Sequence, residues 1–317
     1  LFIFSYNDVS AIDKILLDRI HRIKFDNLLL SDKITIVKTY ILPELYDKFN
    51  IQHLLFSDEI ITYIIDTYTN EPGVRKLKEI LFEIISEINL EILNKNNNLK
   101  NPFEITKELI KDLYLKDKPK MIHKVIHKDP GVGIINGLWA NSLGMGGIIP
   151  IETSFFPSNT FLDFKLTGLQ GDVMKESMNV AKTLAWKLTD KKIQLSLIKN
   201  FKTTKLQGIH IHCPEGAVPK DGPSAGTAIT TCMYSLFNKK KIKNNIAITG
   251  EIDLHGNVTQ IGGLDLKILG GIKAGVDTFI YPTTNQDDFD KFMEKQENKD
   301  IFNNIKFISV SKIDEVL

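Results

Sequence analysis

The chain has 317 residues, 43% hydrophobic and 25% charged, ordinary values for a globular protein of about two domains. With 40 basic side chains against 39 acidic ones, the net charge of +1 argues against a bulk polyanion binder. Two cysteines, Cys213 and Cys232, are too few for a disulfide framework and point to a reducing compartment, and no apolar run reaches the about 18–20 residues of a membrane-spanning helix.

The opening Leu1-Phe2-Ile3-Phe4 is a strand-like apolar run with neither an initiator Met nor a basic leader, so the chain reads as a piece of a longer protein. Residues 11–23 and 31–49 carry apolar positions at helical spacing, the second with Ser31 or Asp32 as N-cap. Ser57-Asp58 opens an amphipathic helix ending near Asn70. Glu71-Pro72-Gly73 reads as a turn, because Pro restricts the residue before it and Gly frees the backbone. From Val74 to Asn94, Leu77, Ile80, Leu81, Ile84, Ile85 and Ile88 recur at three- and four-residue steps and predict a long helix. A polar loop over 94–101 and a short helix over 104–114 follow, so this part is nearly all helix. Glycine agrees: of 20 in the chain, only Gly73 falls within residues 1–130.

After Pro130 the pattern changes. Short β-prone runs occupy 132–139, 148–155, 160–167 and 208–213, separated by Gly and Pro. Residues 172–188 form a helix with Val173, Ser177, Val180, Ala181, Leu184 and Leu188 on one stripe. Helices are predicted at 224–237, 264–273 and 286–295, and strands at 246–249, 277–281 and 305–310. This half is mixed α/β. Lys239-Lys-Lys-Ile-Lys243 reads as a solvated loop rather than a nucleic-acid patch.

Several kinds of chemistry can be weighed from residue types alone. His123 and His127 have the spacing of two ligands on a helix face, but Lys124 stands where a zincin needs Glu. His210 and His212 alternate on one face of a strand, with Cys213 on the other, and read as cleft-lining residues rather than metal ligands. No G-x-x-x-x-G-K-[ST] loop occurs, and Gly144-Met-Gly146-Gly147 is a weak nucleotide turn because no helix follows it.

Gly222-Pro-Ser224-Ala-Gly226 fits G-x-S-x-G. Ser224 then reads either as an exposed nucleophile at a helix head, whose N–H groups and dipole would hold an oxyanion, or as a plain N-cap. A Ser-Asp-His triad on an α/β-hydrolase elbow fits poorly, since Pro219 and Pro223 break the strand that elbow needs. The one later histidine, His255, lies two residues from Asp253 in a turn. A Ser-Lys pair is the known substitute. Its lysine must be neutral, with a pKa falling from ~10.4 toward ~7–8 at a cost of roughly 4 kcal/mol. Lys267, among apolar residues and glycines that allow close backbone approach, is favoured over the hydrophilic Lys239–Lys243 cluster; a snorkelling surface lysine is the alternative.

Pro219-Lys-Asp-Gly-Pro-Ser224-Ala-Gly226, Thr249-Gly-Glu251, Ile261-Gly-Gly-Leu264 and Lys267 together resemble the active-site signature of the ATP-dependent Lon protease family, in its order and spacing. Pro130-Gly131, Gly137-Leu138 and Leu166-Thr-Gly-Leu-Gln-Gly-Asp-Val-Met-Lys-Glu-Ser177 resemble the start of its proteolytic domain. The first part resembles the AAA+ small helical (lid) domain. Asn7 falls at the family's sensor-1 position, Leu16-Leu-Asp-Arg19 matches its arginine-finger motif, and Gly73-Val-Arg75 matches its sensor-2 arginine. Asn70-Glu-Pro72 departs from the usual Arg-Glu-Ala, and Leu138-Trp139-Ala140 from Leu-Ala-Trp.

The resemblance implies two domains, an all-α AAA+ lid followed by a mixed α/β Lon-type proteolytic domain. Residues 1–25 would end the large ATPase domain, 26–118 form the lid and 119–317 the protease. It implies an ATP-dependent serine endopeptidase acting on unfolded or damaged proteins, with Ser224 as nucleophile, Lys267 as base and Thr249 orienting the lysine. Asp221 would gate access by pairing with Lys267. Asn7, Arg19 and Arg75 would face ATP and Mg2+ in a homohexamer of the full-length protein, with the Walker motifs upstream and no cofactor in the peptidase step itself. With no apolar run of spanning length, no membrane insertion is expected, and DNA binding is not readable. A catalytically silent, ATPase-coupled platform is the competing expectation. Glu152-Thr-Ser and Val173-Met-Lys-Glu-Ser lean toward mitochondrial members, hence a matrix location, with bacterial cytoplasm as the alternative.

Overall fold

A computed structural model describes residues 2–6, 9, 12–23, 25, 28–51, 54–69, 71–95, 102–121, 124–141, 144–214, 221–295 and 302–317. The expected helix over 11–23 shrinks to one turn, α1 (Lys14–Leu17), capped by the Asp13 carboxylate on the Ile15 N–H at 2.7 Å. Ile15 and Leu16 are exposed, so no buried face supports further turns. Helix α2 (Leu30–Ile36) passes through a π-turn at Val37–Ile41 into α3 (Leu42–Phe49). Pro43 has no N–H to return to the preceding turn, and the backbone widens there. The N-cap is Leu29 rather than Ser31 or Asp32; Asp32 instead reaches back to the Leu29 N–H at 3.0 Å.

Ser57 caps α4 (Asp58–Tyr68), its hydroxyl accepting the Ile60 N–H at 3.3 Å. The Glu71 carboxylate takes the Lys76 and Leu77 N–H groups at 2.8 Å, opening α5 (Arg75–Lys95). Gly73 has open space around it and no left-handed φ, so the turn does not demand glycine. Two short strands, β1 (Leu54–Leu55) and β2 (Phe103–Glu104), pair in parallel, and α6 (Lys107–Leu109) runs on as a π-turn over Ile110–Tyr114. The predicted stripe of α5 is the centre of this domain: Leu77, Leu81, Ile84, Ile85 and Ile88 are fully buried against Val37, Ile61, Ile64 and Ile105, in a core that ends at Leu115.

The second domain is built on a seven-stranded sheet. Its strands are β3 (Ile134–Ala140), β4 (Gly146–Phe156), β5 (Phe164–Thr167), β6 (Gly208–His212), β7 (Ile246–Ile248), β10 (Thr278–Pro282) and β11 (Lys306–Val310). They run in the order β11-β10-β7-β3-β4-β6-β5, antiparallel on both sides of β4 and parallel elsewhere. A separate hairpin pairs β8 (Glu251–Ile252) with β9 (Val258–Thr259). Alternation divides the strands between two cores. Ile135, Ile151, Ile209, Ile211 and Ile280 join α7 (Asp172–Leu188), α8 (Lys191–Thr204) and α9 (Gly226–Asn238). Leu138, Ile148, Phe279 and Tyr281 join α10 (Leu264–Lys273) and α11 (Gln286–Lys295).

Helix α8 and the β8–β9 hairpin have no counterpart in the sequence reading. The two domains touch at one end of α10, where Lys273 pairs with Asp66 at 2.6 Å. Among the described residues no helix is long and apolar enough to cross a membrane.

Candidate active site

Helix α9 is buried along almost its whole length, which fixes whatever stands at its head. That head is a single 3-10 turn, Pro223–Ala225, with Ser224 in the middle. Pro223 suits a first position where an N–H would be unused, and Gly222 before it has φ 122°, a conformation side chains resist. Strand β6 stops at His212, so no strand runs into the serine and no hydrolase elbow forms. Nor is Ser224 a cap: α9 begins after Ala225 with no side-chain cap, and the half-buried Ser224 hydroxyl has no hydrogen-bond partner among the described residues.

The Ser224 backbone is held firmly. Its carbonyl accepts the Gly250 N–H at 2.8 Å and the Thr249 hydroxyl at 3.3 Å. The Gly250 carbonyl in turn accepts the Thr227 N–H at 3.0 Å and hydroxyl at 2.9 Å. Opposite lies Lys267 on α10, 3% exposed, its Nζ donating to Thr249 Oγ1 at 3.1 Å. Thr249 thus accepts from the lysine and donates to the serine's carbonyl. Burial lowers the Lys267 pKa from 10.5 to about 8, because the interior disfavours the ammonium.

Helix α10 packs backbone to backbone against β4. A Cβ on Gly146 would lie 2.0 Å from the Leu266 carbonyl oxygen, and one on Gly270 2.1 Å from the Gly146 carbonyl carbon. The run Gly144-Met-Gly146-Gly147 is therefore the seam between β4 and α10 rather than a nucleotide turn.

A family model of the Lon protease (S16) C-terminal proteolytic domain matches residues 104–317, and one of the Lon protease AAA+ ATPase lid domain matches residues 48–103. The chain belongs to the Lon protease family. It is 36% identical to a Lon protease of Clostridium acetobutylicum over 100% of this chain and 39% of that protein. A Lon protease homolog of Acanthamoeba polyphaga mimivirus is 34% identical over 93% of this chain and 34% of its own length. A Lon protease of Methanosarcina barkeri is 33% identical over 100% and 38%. The chain spans about two fifths of the length of the curated relatives it matches.

Within this Lon chain the other expected site residues fall elsewhere. Asp221 does not pair with Lys267. Its Oδ1 accepts the Met174 N–H and the Gly222 N–H, each at 3.0 Å, which ties it to the first turn of α7. Arg19 is exposed just after α1, and Arg75 is exposed at the start of α5 with Glu79 3.6 Å away. Neither approaches the serine site through any hydrogen bond or ion pair among the described residues. Asn7 and His123 lie outside the described residues.

His210 and His212 do share a face, and both bond the Thr167 hydroxyl, at 3.0 and 2.7 Å. They line an open cavity of about 410 Å³ with Glu152 and Gly133, whose walls include neither Ser224 nor Lys267. His255 cannot complete a triad, because the Asp253 carboxylate is engaged by the His255 and Asn257 backbone N–H groups and the Asn257 amide. Both cysteines are buried and neither is in a disulfide, and burial pushes the Cys232 thiol up to about 12, so it is inert as a nucleophile. Gly250 is expected from the Thr249-Gly-Glu251 motif, and the fold shows why it is glycine: a Cβ there would lie 2.7 Å from Thr227 Oγ1.

Proposed function

We propose that this chain is the lid and peptidase portion of an ATP-dependent serine endopeptidase that cleaves unfolded or damaged proteins with a Ser224–Lys267 dyad. The observation that carries the reading is Lys267 itself: buried, with no acidic partner among the described residues, and held by Thr249 beside the serine's backbone. A silent platform has no use for a lysine kept in a setting that disfavours its charge.

In the reaction, neutral Lys267 Nζ takes the proton of Ser224 Oγ as that oxygen attacks the scissile carbonyl. Lys267 donates to Thr249 in the resting arrangement and must turn its lone pair to the serine hydroxyl for this transfer. The Gly226 and Thr227 N–H groups are committed to Pro223 and Gly250 carbonyls, which leaves the Ser224 N–H as our choice of oxyanion donor. Lys267 then returns its proton to the leaving amine, and water resolves the acyl-enzyme.

By family, ATP and Mg2+ bind largely outside this chain. Its exposed Arg19 and Arg75 guanidiniums suit nucleotide phosphates in a homohexameric full-length protein and would supply charge stabilisation there. Two cysteines outside any disulfide fit a reducing compartment. The relatives named above are bacterial, archaeal and viral, so a bacterial-type cytoplasm is favoured and the mitochondrial matrix has no support among them. Cleavage of a fluorogenic peptide should vanish in Ser224→Ala and Lys267→Gln with the circular dichroism spectrum unchanged. Cleavage surviving in either variant removes the dyad.

A further inference from the structure

We propose that α7 is the rack on which the nucleophile turn is mounted, and that Asp221 serves the reaction as a positioning residue through that helix rather than through Lys267. The proposal rests on the dyad reading above. Three positions of α7 or its cap, Gly171, Met174 and Ser177, recur at three-residue steps and meet the chain on both sides of Ser224. Gly171 lies against the Asp221 carboxylate, and the Met174 N–H donates to Asp221 Oδ1 at 3.0 Å. The Ser177 hydroxyl donates to the Pro223 carbonyl at 3.4 Å and lies 2.8 Å from where a Cβ on Gly226 would stand. Residues 221, 223 and 226 therefore rest on one helix, while Thr249 and Gly250 hold the Ser224 carbonyl from another side.

Two details make this more than contact. A seventeen-residue helix leaves its first N–H groups unpaired, and the local residue that should cap them, Gly171, has no side chain. Asp221 supplies that cap from a distant part of the sequence, at the positive end of the helix dipole. Gly171 itself has φ −72° and ψ 174°, extended backbone that any residue adopts. Yet a Cβ there would lie 2.3 Å from Asp221 Cγ and 2.6 Å from Oδ1. Glycine stands at 171 because the carboxylate does, not because the backbone requires it. Without the carboxylate, residues 221–223 lose their anchor, and the serine hydroxyl loses its placement.

The test is peptide cleavage by this chain as a function of pH, in Asp221→Ala, Asp221→Asn, Gly171→Ala and the Gly171→Ala/Asp221→Ala double variant. Asp221→Ala should lower kcat about tenfold or more, since small misplacements of reacting groups are expensive in rate. KM should stay within about twofold and the rising limb of the pH profile should not move. Asn keeps an acceptor oxygen without the charge and should recover most of the loss. Gly171→Ala should behave like Asp221→Ala, and the double variant should be no worse than Gly171→Ala alone, because the nearest carboxylate atoms are gone and only the Cβ of residue 221, 2.7 Å from the new methyl, remains against it.

Asn as impaired as Ala, a displaced pH limb, or a harmless Gly171→Ala overturns the proposal. Should Asp221→Ala fail to fold, Asp221→Asn and Gly171→Ala decide the matter alone. Cleavage by Lys267→Gln would instead remove the dyad, whatever the variants at 221 do.

Discussion

Replacing the base should make the protein more stable, and the gain should depend on pH. Lys267 releases its proton near pH 8 in the folded chain and near 10.5 when unfolded, a difference of about 3 kcal/mol between its charged and neutral forms. Between those two values the unfolded state binds more protons, so stability rises with pH across that window. Below pH 8 the folded state bears the whole penalty. Lys267→Met keeps the length and apolar stem but removes the charge. It also removes the donor to Thr249, whose hydroxyl still has the Ser224 carbonyl, and that loss costs about 1 kcal/mol.

The net gain at pH 7 is then about 2 kcal/mol, which for a domain of this size raises Tm by about 4–8 °C. By pH 10.5 the wild-type lysine is neutral in the folded state, so the penalty is nearly gone and the lost hydrogen bond turns the gain into a small loss of under about 1 kcal/mol. Calorimetric melts of both proteins at the two pH values measure it. No gain at pH 7, or the same gain at both, refutes the claim that Lys267 is held neutral by burial.

The same setting predicts the rate profile: if neutral Lys267 is the base, kcat/KM should climb about tenfold from pH 7 to pH 9, as its neutral fraction goes from about one tenth to nine tenths. A flat profile, or a limb near 10.5, contradicts it. Thr249→Val keeps the shape and loses the hydroxyl that joins Lys267 to the Ser224 carbonyl, so kcat should fall about 10- to 100-fold with little change in KM. Recovery in Thr249→Ser would show that the hydroxyl, not the methyl, matters. Gly146→Ala forces a methyl into the Leu266 carbonyl and should destabilise the proteolytic domain by about 1–3 kcal/mol or more, read as a lowered Tm. An unchanged Tm would mean the seam is looser than it stands.

The elements legible in the sequence are those whose own residues fulfil the pattern. Helices 172–188, 264–273 and 286–295 form with the predicted bounds because each carries an apolar stripe facing a core. Helix α8 has a mixed apolar signal: Leu197 is its one buried residue, Ile193 and Phe201 pack partly against the core, and Leu195 faces solvent. Its start was nonetheless written in Asp190, whose carboxylate caps Lys192 at 2.7 Å. The paired strands β1 and β2 were invisible for another reason. Two residues have no period, and their pairing depends on a helical core that brings 54 and 103 together. At 11–23 the error ran the other way, since periodicity promised a helix that no buried face supports.

The site shows the same division between what a residue type declares and what only a fold can decide. A serine between small residues and a lysine among apolar ones are local facts, and both stand at the heads or flanks of the helices they were expected on. Whether Asp221 pairs with Lys267 depends on a tertiary distance, and the fold turns its carboxylate to the Met174 and Gly222 N–H groups instead. Glycine makes the point most sharply, because one residue type serves three purposes here. Gly222 is needed for its backbone angle, Gly146 and Gly270 for the approach of two backbones, and Gly171 and Gly250 because a neighbour's side chain fills the space. Only the first purpose can be guessed from a turn motif. The others are complementary to residues about 20 to more than 100 positions away, and those glycines place the base, the threonine and the nucleophile turn against one another.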